Sequence, residues 1–290
     1  MSGKIVHDWV IVTPPIGAPC PVVFDSPHSG LEYPPDFLPA APRSAIMTTW
    51  DAYVDELWGN VPSAGATLIV AKFPRAYIDT NRAANDLDVE LLDAPWPGEV
   101  QATDYTRRGM GLIRRRALPG VPMYDRKLSP TEVSHRLDAY YWPYRRTLQQ
   151  QLDAAWQRDG AVWHFNCHSM KSRGNDMNRD SGSARPDFVI SDRDGTTAAP
   201  ATTAWVARFF SDLGHAVKIN DPYRGGDIVA SHGNPAGCRH SIQIEINRAL
   251  YLDEITCQKS ANFAALRENL DKFSVAICDY ARHARPRHHD

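Results

Sequence analysis

VVFDSPHSG, residues 22–30, is an apolar run that stops at Asp25 and continues into a turn with a proline, a histidine and a glycine. The pattern predicts a buried strand with His28 just beyond its end. A second apolar run, AVWHFNCHSMKSRG at 161–174, also ends in a polar turn, with His168 at its end. Open α/β sheets bind ligands outside the carboxyl ends of their strands. We therefore expect both histidines at one functional edge of a sheet.

Short apolar runs alternate with longer helical patterns along the chain. This alternation predicts an α/β fold with crossover units, a mostly parallel or mixed sheet, and helices that cover the sheet. The predicted strands are 22–25, 67–72, 111–114, 161–166, 187–191, 216–219 and 241–247.

The clearest predicted helix begins at SPTE, 129–132, where Ser129 caps, proline takes the first turn and Glu132 closes a capping box. We expect Pro143 to kink this helix. Further helices are predicted over 201–213 and 260–281. No linker or repeat divides residues 1–290, so we expect one domain with a long excursion at 86–110 and a mobile tail at 283–290.

Composition favours a globular protein with a small-molecule partner. The 290 residues include 32 basic and 34 acidic side chains, a net charge of -2, which gives no general attraction to nucleic acid or membrane. Five scattered cysteines show neither zinc-knuckle nor disulfide spacing. No run approaches a membrane span, and the first residues lack an export signal. We therefore expect a cytoplasmic protein.

A zinc site is one interpretation of the two strand-end histidines, because a hydrolytic zinc needs three protein ligands and one open position. His164 could be a third ligand, but its place inside the strand favours a core histidine. TTWDAYVDELW, 48–58, is typical of a helix start and offers Asp51, Asp55 and Glu56 as carboxylate ligands. Acidic residues also favour a first helical turn through the helix dipole, so this segment alone does not establish a ligand.

The segment HSIQIEINR, 240–248, alternates isoleucine with polar residues. In a strand, Ile242, Ile244 and Ile246 would face the core, and Gln243, Glu245 and Asn247 would share the other face. Glutamate is depleted in strands. We therefore predict that Glu245 is an acid or base in a pocket.

Arginines in three segments are candidates for binding an acidic ligand. Arg82 follows Asp79 and Asn81 in RAYIDTNR, Arg224 precedes two glycines in PYRGGDI, and Arg248 follows the isoleucine strand. A guanidinium group can bind a carboxylate through two parallel hydrogen bonds. Each arginine taken singly is more often part of a surface ion pair.

Six motifs occur in an order that resembles the N-formylglutamate amidohydrolase family: PHSG, WDAYVDEL, YIDTNR, CHSM, PYRGGDI and RHSIQIEINRALYLDE. The resemblance covers most of the chain, from about residue 24 to 254. It implies a zinc carboxypeptidase-like (phosphorylase/hydrolase-like) fold, a three-layer αβα sandwich around a mixed, mostly parallel sheet. It also implies hydrolysis of N-formyl-L-glutamate to formate and glutamate, a reaction of histidine degradation, with one Zn2+ per chain.

The resemblance also implies roles for individual residues. His28, Asp51 and His168 match the zinc ligands, with Asp51 in the helix after the first strand, and Glu245 matches the general base. Asn81 with Arg82 resembles the asparagine–arginine pair that receives a substrate carboxylate in related peptidases. Arg224 stands where the family more often has lysine.

Other functions remain open at this point. The chain could be a related metal-dependent deacylase of another N-acyl amino acid or a short peptide. It could also be a non-catalytic protein that binds acidic small ligands, although all four metal and base candidates are present. A cell-wall amidase fits less well because no export signal is seen. The sequence does not predict an oligomeric state.

Overall fold

The computed structural model describes residues 3–284. It contains an eight-stranded sheet and a separate two-stranded hairpin. The strands of the sheet are β1 (Ile5–His7), β2 (Val10–Thr13), β3 (Val22–Ser26), β4 (Thr67–Ala71), β7 (Val162–Met170), β8 (Phe188–Ser191), β9 (Val217–Ile219) and β10 (Arg239–Asn247); the hairpin is β5 (Arg116–Leu118) with β6 (Val121–Pro122).

The helices alternate with the strands along much of the chain. They are α1 (Arg43–Met47), α2 (Val54–Leu57), α3 (Asp104–Arg107), α4 (Pro130–Arg136), α5 (Trp142–Asp159), α6 (Pro200–Asp212), α7 (Asp227–His232) and α8 (Phe263–Ala284). Within residues 3–284, no helix has the length and apolar character needed to cross a membrane.

The strand order in the large sheet is β1-β2-β4-β3-β7-β10-β8-β9. The four central strands β4, β3, β7 and β10 are parallel, as are β8 and β9, and the other pairs are antiparallel. Because parallel strands end at the same edge, the segments that follow β3, β4, β7 and β10 meet there.

Helices cover both faces of this sheet. Helix α5 packs against β2, β3, β4 and β7, whereas α6 packs against β8 and β9 and α8 against β3. Tyr144 and Leu148 of α5 belong to one buried apolar cluster, and Phe273 and Ile277 of α8 belong to the other. The predicted three-layer αβα sandwich with a mixed, mostly parallel sheet is confirmed.

The predicted capping box is present. The Ser129 hydroxyl accepts from the Glu132 amide at 3.1 Å, and the Ser129 amide donates to the Glu132 carboxylate at 2.8 Å. Just before Pro143, where a kink is predicted, a π-helical stretch at Leu137–Tyr141 lies between α4 and α5. Proline crowds the carbonyl four residues earlier, and a wider turn relieves that contact.

The strand predicted over 111–114 is wrong. This segment is a buried loop that bonds to another loop: the Asp79 amide donates to the Leu112 carbonyl and the Leu112 amide to the Asp86 carbonyl. A Cβ on Gly111 would lie 2.4 Å from the Thr106 hydroxyl, so only glycine allows this packing. The short strands β1 and β2 were not predicted. In the predicted tail, 283–284 belongs to α8, and the rest lies outside the described residues.

Candidate metal centre and active site

Three predicted ligands meet at the carboxyl edge of the sheet. His28 follows β3, His168 lies near the end of β7, and Asp51 lies between α1 and α2. One donor atom from each falls within a group whose members are all within 4.8 Å of one another, and all three side chains are buried. The Asp51 Oδ2 atom is 3.4 Å from His28 Nδ1 and 3.0 Å from His168 Nδ1.

Asp51 does not lie in a helix, which corrects the prediction. It precedes α2 by three residues, and its amide donates to the His28 carbonyl at 3.2 Å. This bond holds the Asp51 loop against the turn that carries His28. The alternative carboxylates point elsewhere, since Asp55 and Glu56 are not part of the ligand group and Glu56 pairs with Lys259.

Hydrogen bonds on the far side of each histidine orient it. His28 Nε2 lies 2.7 Å from Asp79 Oδ1, and His168 Nε2 lies 2.6 Å from the Asn166 side-chain oxygen. With protons on Nε2, both Nδ1 atoms have free lone pairs that face Asp51. His28 Nδ1 is a buried atom without a hydrogen-bond partner among the described residues. Such outer partners are typical of zinc-binding histidines.

The residues present therefore fit a divalent metal. Two neutral imidazoles and one carboxylate match the donor set of hydrolytic zinc sites. Arg248 Nη2 bonds the other oxygen of Asp51 at 2.9 Å, and Arg75 lies 3.7 Å from the same oxygen. Burial opposes ionisation, but the neighbouring imidazoles of His168 and His28 and the charge of Arg75 hold the pKa of Asp51 well below its usual range.

Glu245 lies beside this group on the neighbouring strand. It pairs in register with His168, so both side chains project from the same face of the sheet. Its isoleucine neighbours Ile244 and Ile246 are in the core, as predicted. The Gln243 amide donates to Glu245 Oε1 at 2.9 Å. Burial raises the pKa of Glu245.

Glu245 and His168 line a cavity of about 100 Å3, which we call the inner lobe. Its wall also includes Arg75, Arg82 and Arg114. The wall of this small cavity thus includes a buried carboxylate, one residue of the predicted metal-ligand group and three cationic side chains. Such a cavity suits a small anion-bearing substrate.

His164 is not part of the metal-ligand group. Its Nε2 lies 2.9 Å from Asp25 Oδ1 and its Nδ1 2.7 Å from the Ser241 hydroxyl. Asp25 also accepts from the Tyr144 hydroxyl at 2.6 Å and from Asn166 at 2.8 Å. His164 is therefore a buried core histidine, as its position inside the predicted strand indicated.

The predicted substrate-binding residues fall in different places. Arg82 lines the inner lobe, where it donates to the Met110 and Asn81 carbonyls and stacks on Tyr105 at 4.1 Å. Arg248 is held by Asp51 and the Thr48 carbonyl. Arg224 is not brought to the cavity, because its side chain is exposed and pairs with Asp194 at 2.7 Å.

The Asn81 side chain lines the inner lobe but is engaged with the protein. Its oxygen accepts from the Ile228 amide at 2.9 Å, and its nitrogen lies within 3.3 Å of acceptors on Asn166 and Gln243. A Cβ on Gly226 would lie 2.3 Å from that oxygen. The backbone at Gly226 therefore packs closely against the Asn81 side chain.

Sequence reasoning gave no role to Arg75, Asp79 or Arg114. Arg75 Nη2 binds Asp79 at 2.7 Å, one helical turn apart in sequence, and that spacing could have indicated the pair. Burial opposes ionisation of Asp79, but the charge of Arg75 and the hydrogen bond from His28 hold its pKa well below the usual range. Arg114 was placed in a strand that does not form, and no local pattern points to the cavity.

Replacing Asp79 tests the outer shell of the metal site. We expect Asp79→Asn to weaken zinc binding by about 10- to 100-fold, because the charge that orients His28 is lost. Competition with a chelator of known affinity measures this change. Asp88→Asn is the matched control, since Asp88 also pairs with an arginine, Arg115, but lies outside the inner lobe. Equal zinc affinity in both variants would contradict the assignment.

Comparison with known proteins identifies the family of this chain. Residues 20–252 match the N-formylglutamate amidohydrolase family. The N-formylglutamate deformylase of Pseudomonas putida is 24% identical over 240 residues, 81% of this chain and 82% of that protein. That of Pseudomonas aeruginosa is 24% identical over 238 residues, 81% of this chain and 83% of that protein.

Solved structures extend the similarity to the whole fold. The N-formylglutamate amidohydrolase from Ralstonia eutropha JMP134 is 39% identical, with a TM-score of 0.90 over 96% of this chain and 99% of that one. The gene product Atu2144 from Agrobacterium tumefaciens, 17% identical, has a TM-score of 0.66 over 96% of each chain and shows the shared fold alone. The family match covers well over half of the chain, and this protein belongs to the N-formylglutamate amidohydrolase family.

Proposed function

We propose that this protein is a zinc-dependent amidohydrolase that cleaves N-formyl-L-glutamate to formate and L-glutamate, a reaction of histidine degradation. The observation that carries the proposal is the meeting of His28, Asp51 and His168 beside the buried Glu245. Glu245 and His168 line a cavity that also has arginine side chains in its wall. Family membership supports the choice of a formamide as the bond that is cleaved.

His28 Nδ1, His168 Nδ1 and Asp51 Oδ2 would hold the zinc ion, one per chain. A zinc ion bound there supplies a Lewis acid that polarises a carbonyl oxygen and makes water a better nucleophile at neutral pH. Arg248 and Arg75 balance the charge of Asp51, and Asp79 and Asn166 hold the two imidazole rings in place. The protein thereby fixes the donor atoms before the substrate arrives.

Glu245 acts as the proton carrier. Its carboxylate takes a proton from the attacking water as the oxygen bonds to the formyl carbon. It then gives that proton to the amide nitrogen as the carbon–nitrogen bond breaks, so that formate and the free amine of glutamate leave. Burial, which raises the pKa of Glu245, favours such a carrier, because it must hold the proton between the two steps.

The cations of the inner lobe orient the substrate. N-formylglutamate carries two carboxylates, and Arg82 lies in the wall beside Glu245 and His168. We assign Arg82 to the carboxylate that is attached to the same carbon as the amide nitrogen. Fixing this group beside the metal ligands converts ionic recognition into orientation of the scissile bond.

A hydrolysis screen tests the proposal. The purified, zinc-loaded protein is offered N-formyl, N-acetyl and N-succinyl forms of glutamate, aspartate and glutamine. We expect the highest kcat/KM for N-formylglutamate, because the inner lobe is small and its wall is cationic. A Glu245→Gln preparation purified in parallel controls for contaminating hydrolases.

Other substrate preferences in this screen would contradict the proposed function. A preference for N-acetyl or N-succinyl substrates would identify a related deacylase, and a preference for an uncharged amino acid would overturn the proposed substrate. Binding of N-formylglutamate without turnover, in protein that holds zinc, would indicate a non-catalytic binder of acidic ligands.

A further inference from the structure

A second cavity of about 90 Å3, the outer lobe, adjoins the inner lobe. Arg75, Arg114, Ser169 and Tyr223 line both lobes, so the two cavities meet at these side chains. Glu245 and His168 line the inner lobe and not the outer one. The outer lobe is therefore farther from the reacting bond, and a substrate that reaches it extends away from the metal ligands.

Most cations around the two lobes have partners that neutralise or occupy them. Arg75 pairs with Asp79, Arg248 with Asp51, and Arg185 binds Asp180 through two nitrogen atoms at 2.7 and 2.9 Å. These guanidinium groups already have the carboxylate contacts that a ligand would offer. These arginines form part of the cavity wall and contribute to its positive electrostatic potential.

Arg114 differs from these arginines. Its side chain is 7% exposed, its Nε has no hydrogen-bond partner, and it forms no ion pair with any residue in 3–284. Burial, together with repulsion from Arg75, lowers the pKa of the Arg114 guanidinium to about 9. A buried cation without a counterion is costly, and an anion bound against it would recover that cost.

Lys171 is a second cation without an ion pair among the described residues, and it lines the outer lobe. Burial and the charges of Arg248 and Arg114 lower the pKa of its ammonium group. Arg114 and Lys171 thus place positive charge without a close ion pair at the junction of the lobes and in the outer lobe. Nothing in the proposed proton transfer uses either residue.

We propose that Arg114, supported by Lys171, binds the side-chain carboxylate of the substrate and sets the preference for a dicarboxylate. The inference rests on the proposed function. In N-formylglutamate the α-carboxylate is attached to the carbon that carries the scissile amide, so it stays in the inner lobe. The side-chain carboxylate is two methylene groups farther away, and it reaches the junction that Arg114 lines.

The kinetic test compares N-formylglutamate with N-formylglutamine, which differ only in that carboxylate. We expect Arg114→Met to lower kcat/KM for N-formylglutamate by about 100-fold, mainly through KM, because a charge-assisted bidentate contact is lost. For N-formylglutamine we expect a change of less than about threefold. The kcat/KM of Arg114→Lys for N-formylglutamate should lie between those of the wild type and Arg114→Met, since lysine keeps the charge without the planar guanidinium group. Lys171→Met should also lower the preference for N-formylglutamate over N-formylglutamine, but by less than Arg114→Met does.

Equal losses on both substrates in Arg114→Met would overturn the inference, because Arg114 would then act on a group the substrates share. An unchanged preference for N-formylglutamate would also overturn it. If the wild type hydrolyses neither substrate, the proposed function fails, and the inference is then judged by binding of L-glutamate and L-glutamine.

Melting temperature provides that binding measurement. L-glutamate should stabilise the zinc-loaded wild type more than L-glutamine does, and Arg114→Met should abolish the difference. Without ligand, Arg114→Met should melt no lower than the wild type, because methionine removes an unpaired buried charge. A clearly lower melting temperature without ligand would instead assign Arg114 a structural role and overturn the inference.

Discussion

Glu245→Gln is expected to lower turnover of N-formylglutamate by at least about 10²- to 10⁴-fold, the usual effect of losing an acid–base group. Zinc content should stay at one ion per chain, because the three proposed ligands are untouched. Burial raises the pKa of Glu245, so keeping it ionised at neutral pH costs stability. The neutral glutamine should therefore leave the melting temperature unchanged or higher.

The matched control is Glu132→Gln, the same chemical change in the capping box of α4. There the Arg126 side chain lowers the pKa of Glu132 to about 2, so its charge stabilises the fold at neutral pH, and that stability is lost as pH falls toward 2. We expect a lower melting temperature and normal turnover per folded molecule. A structural pair between Glu245 and Arg248 would predict that same result for Glu245→Gln, but Arg248 binds Asp51.

Removing zinc is expected to abolish hydrolysis, and adding one equivalent should restore it. The proposed ligands His28, Asp51 and His168 come from three separate segments and converge only in the folded protein. Zinc should also raise the melting temperature, because it binds the native arrangement in preference to the unfolded chain. Metal analysis, turnover and melting are measured on the same preparation before and after chelation.

A pair of histidine variants sharpens the metal test. His168→Gln should leave less than about a tenth of an equivalent of zinc, because one of three protein ligands is lost. His164→Gln, four residues earlier on β7, should keep zinc but melt at a lower temperature, because Asp25 and Ser241 lose a buried partner. Full activity in excess chelator, with zinc shown to be absent, would reject the metal mechanism.

Local patterns predicted the parts of the site that lie on strands. The apolar runs that end at His28 and His168 and the alternation around Glu245 depend on strand periodicity, which is a property of neighbouring residues. The placement of Glu245 beside His168 follows from the parallel pairing of β7 and β10. Family resemblance supplied the ligand role of Asp51, which composition and spacing alone left open.

The features of the site that local sequence patterns did not predict depend on residues that are distant in the chain. Whether an arginine is neutralised or free depends on which carboxylate the fold brings to it, so Arg82, Arg224 and Arg248 could not be ranked. Asp51 sits in a loop because its amide bonds to the His28 carbonyl, a tertiary contact that outweighs the helical pattern. Residues 111–114 contain a strand-like run, yet they form a loop that bonds to another loop.

The position of β10 in the sheet has a consequence for biosynthesis. β10 is the last of the sheet strands in the chain, yet it lies between β7 and β8. While the polypeptide emerges from the ribosome, the edge of β7 that pairs with β10 lacks its partner until residue 247 is available. Until then the β8–β9 pair also cannot join the sheet, because β8 pairs with β10. An open edge invites pairing with other chains. The strand that carries Glu245 also joins β7 to the β8–β9 pair. We therefore expect truncation before this strand to leave a chain that aggregates and that also lacks the proposed base.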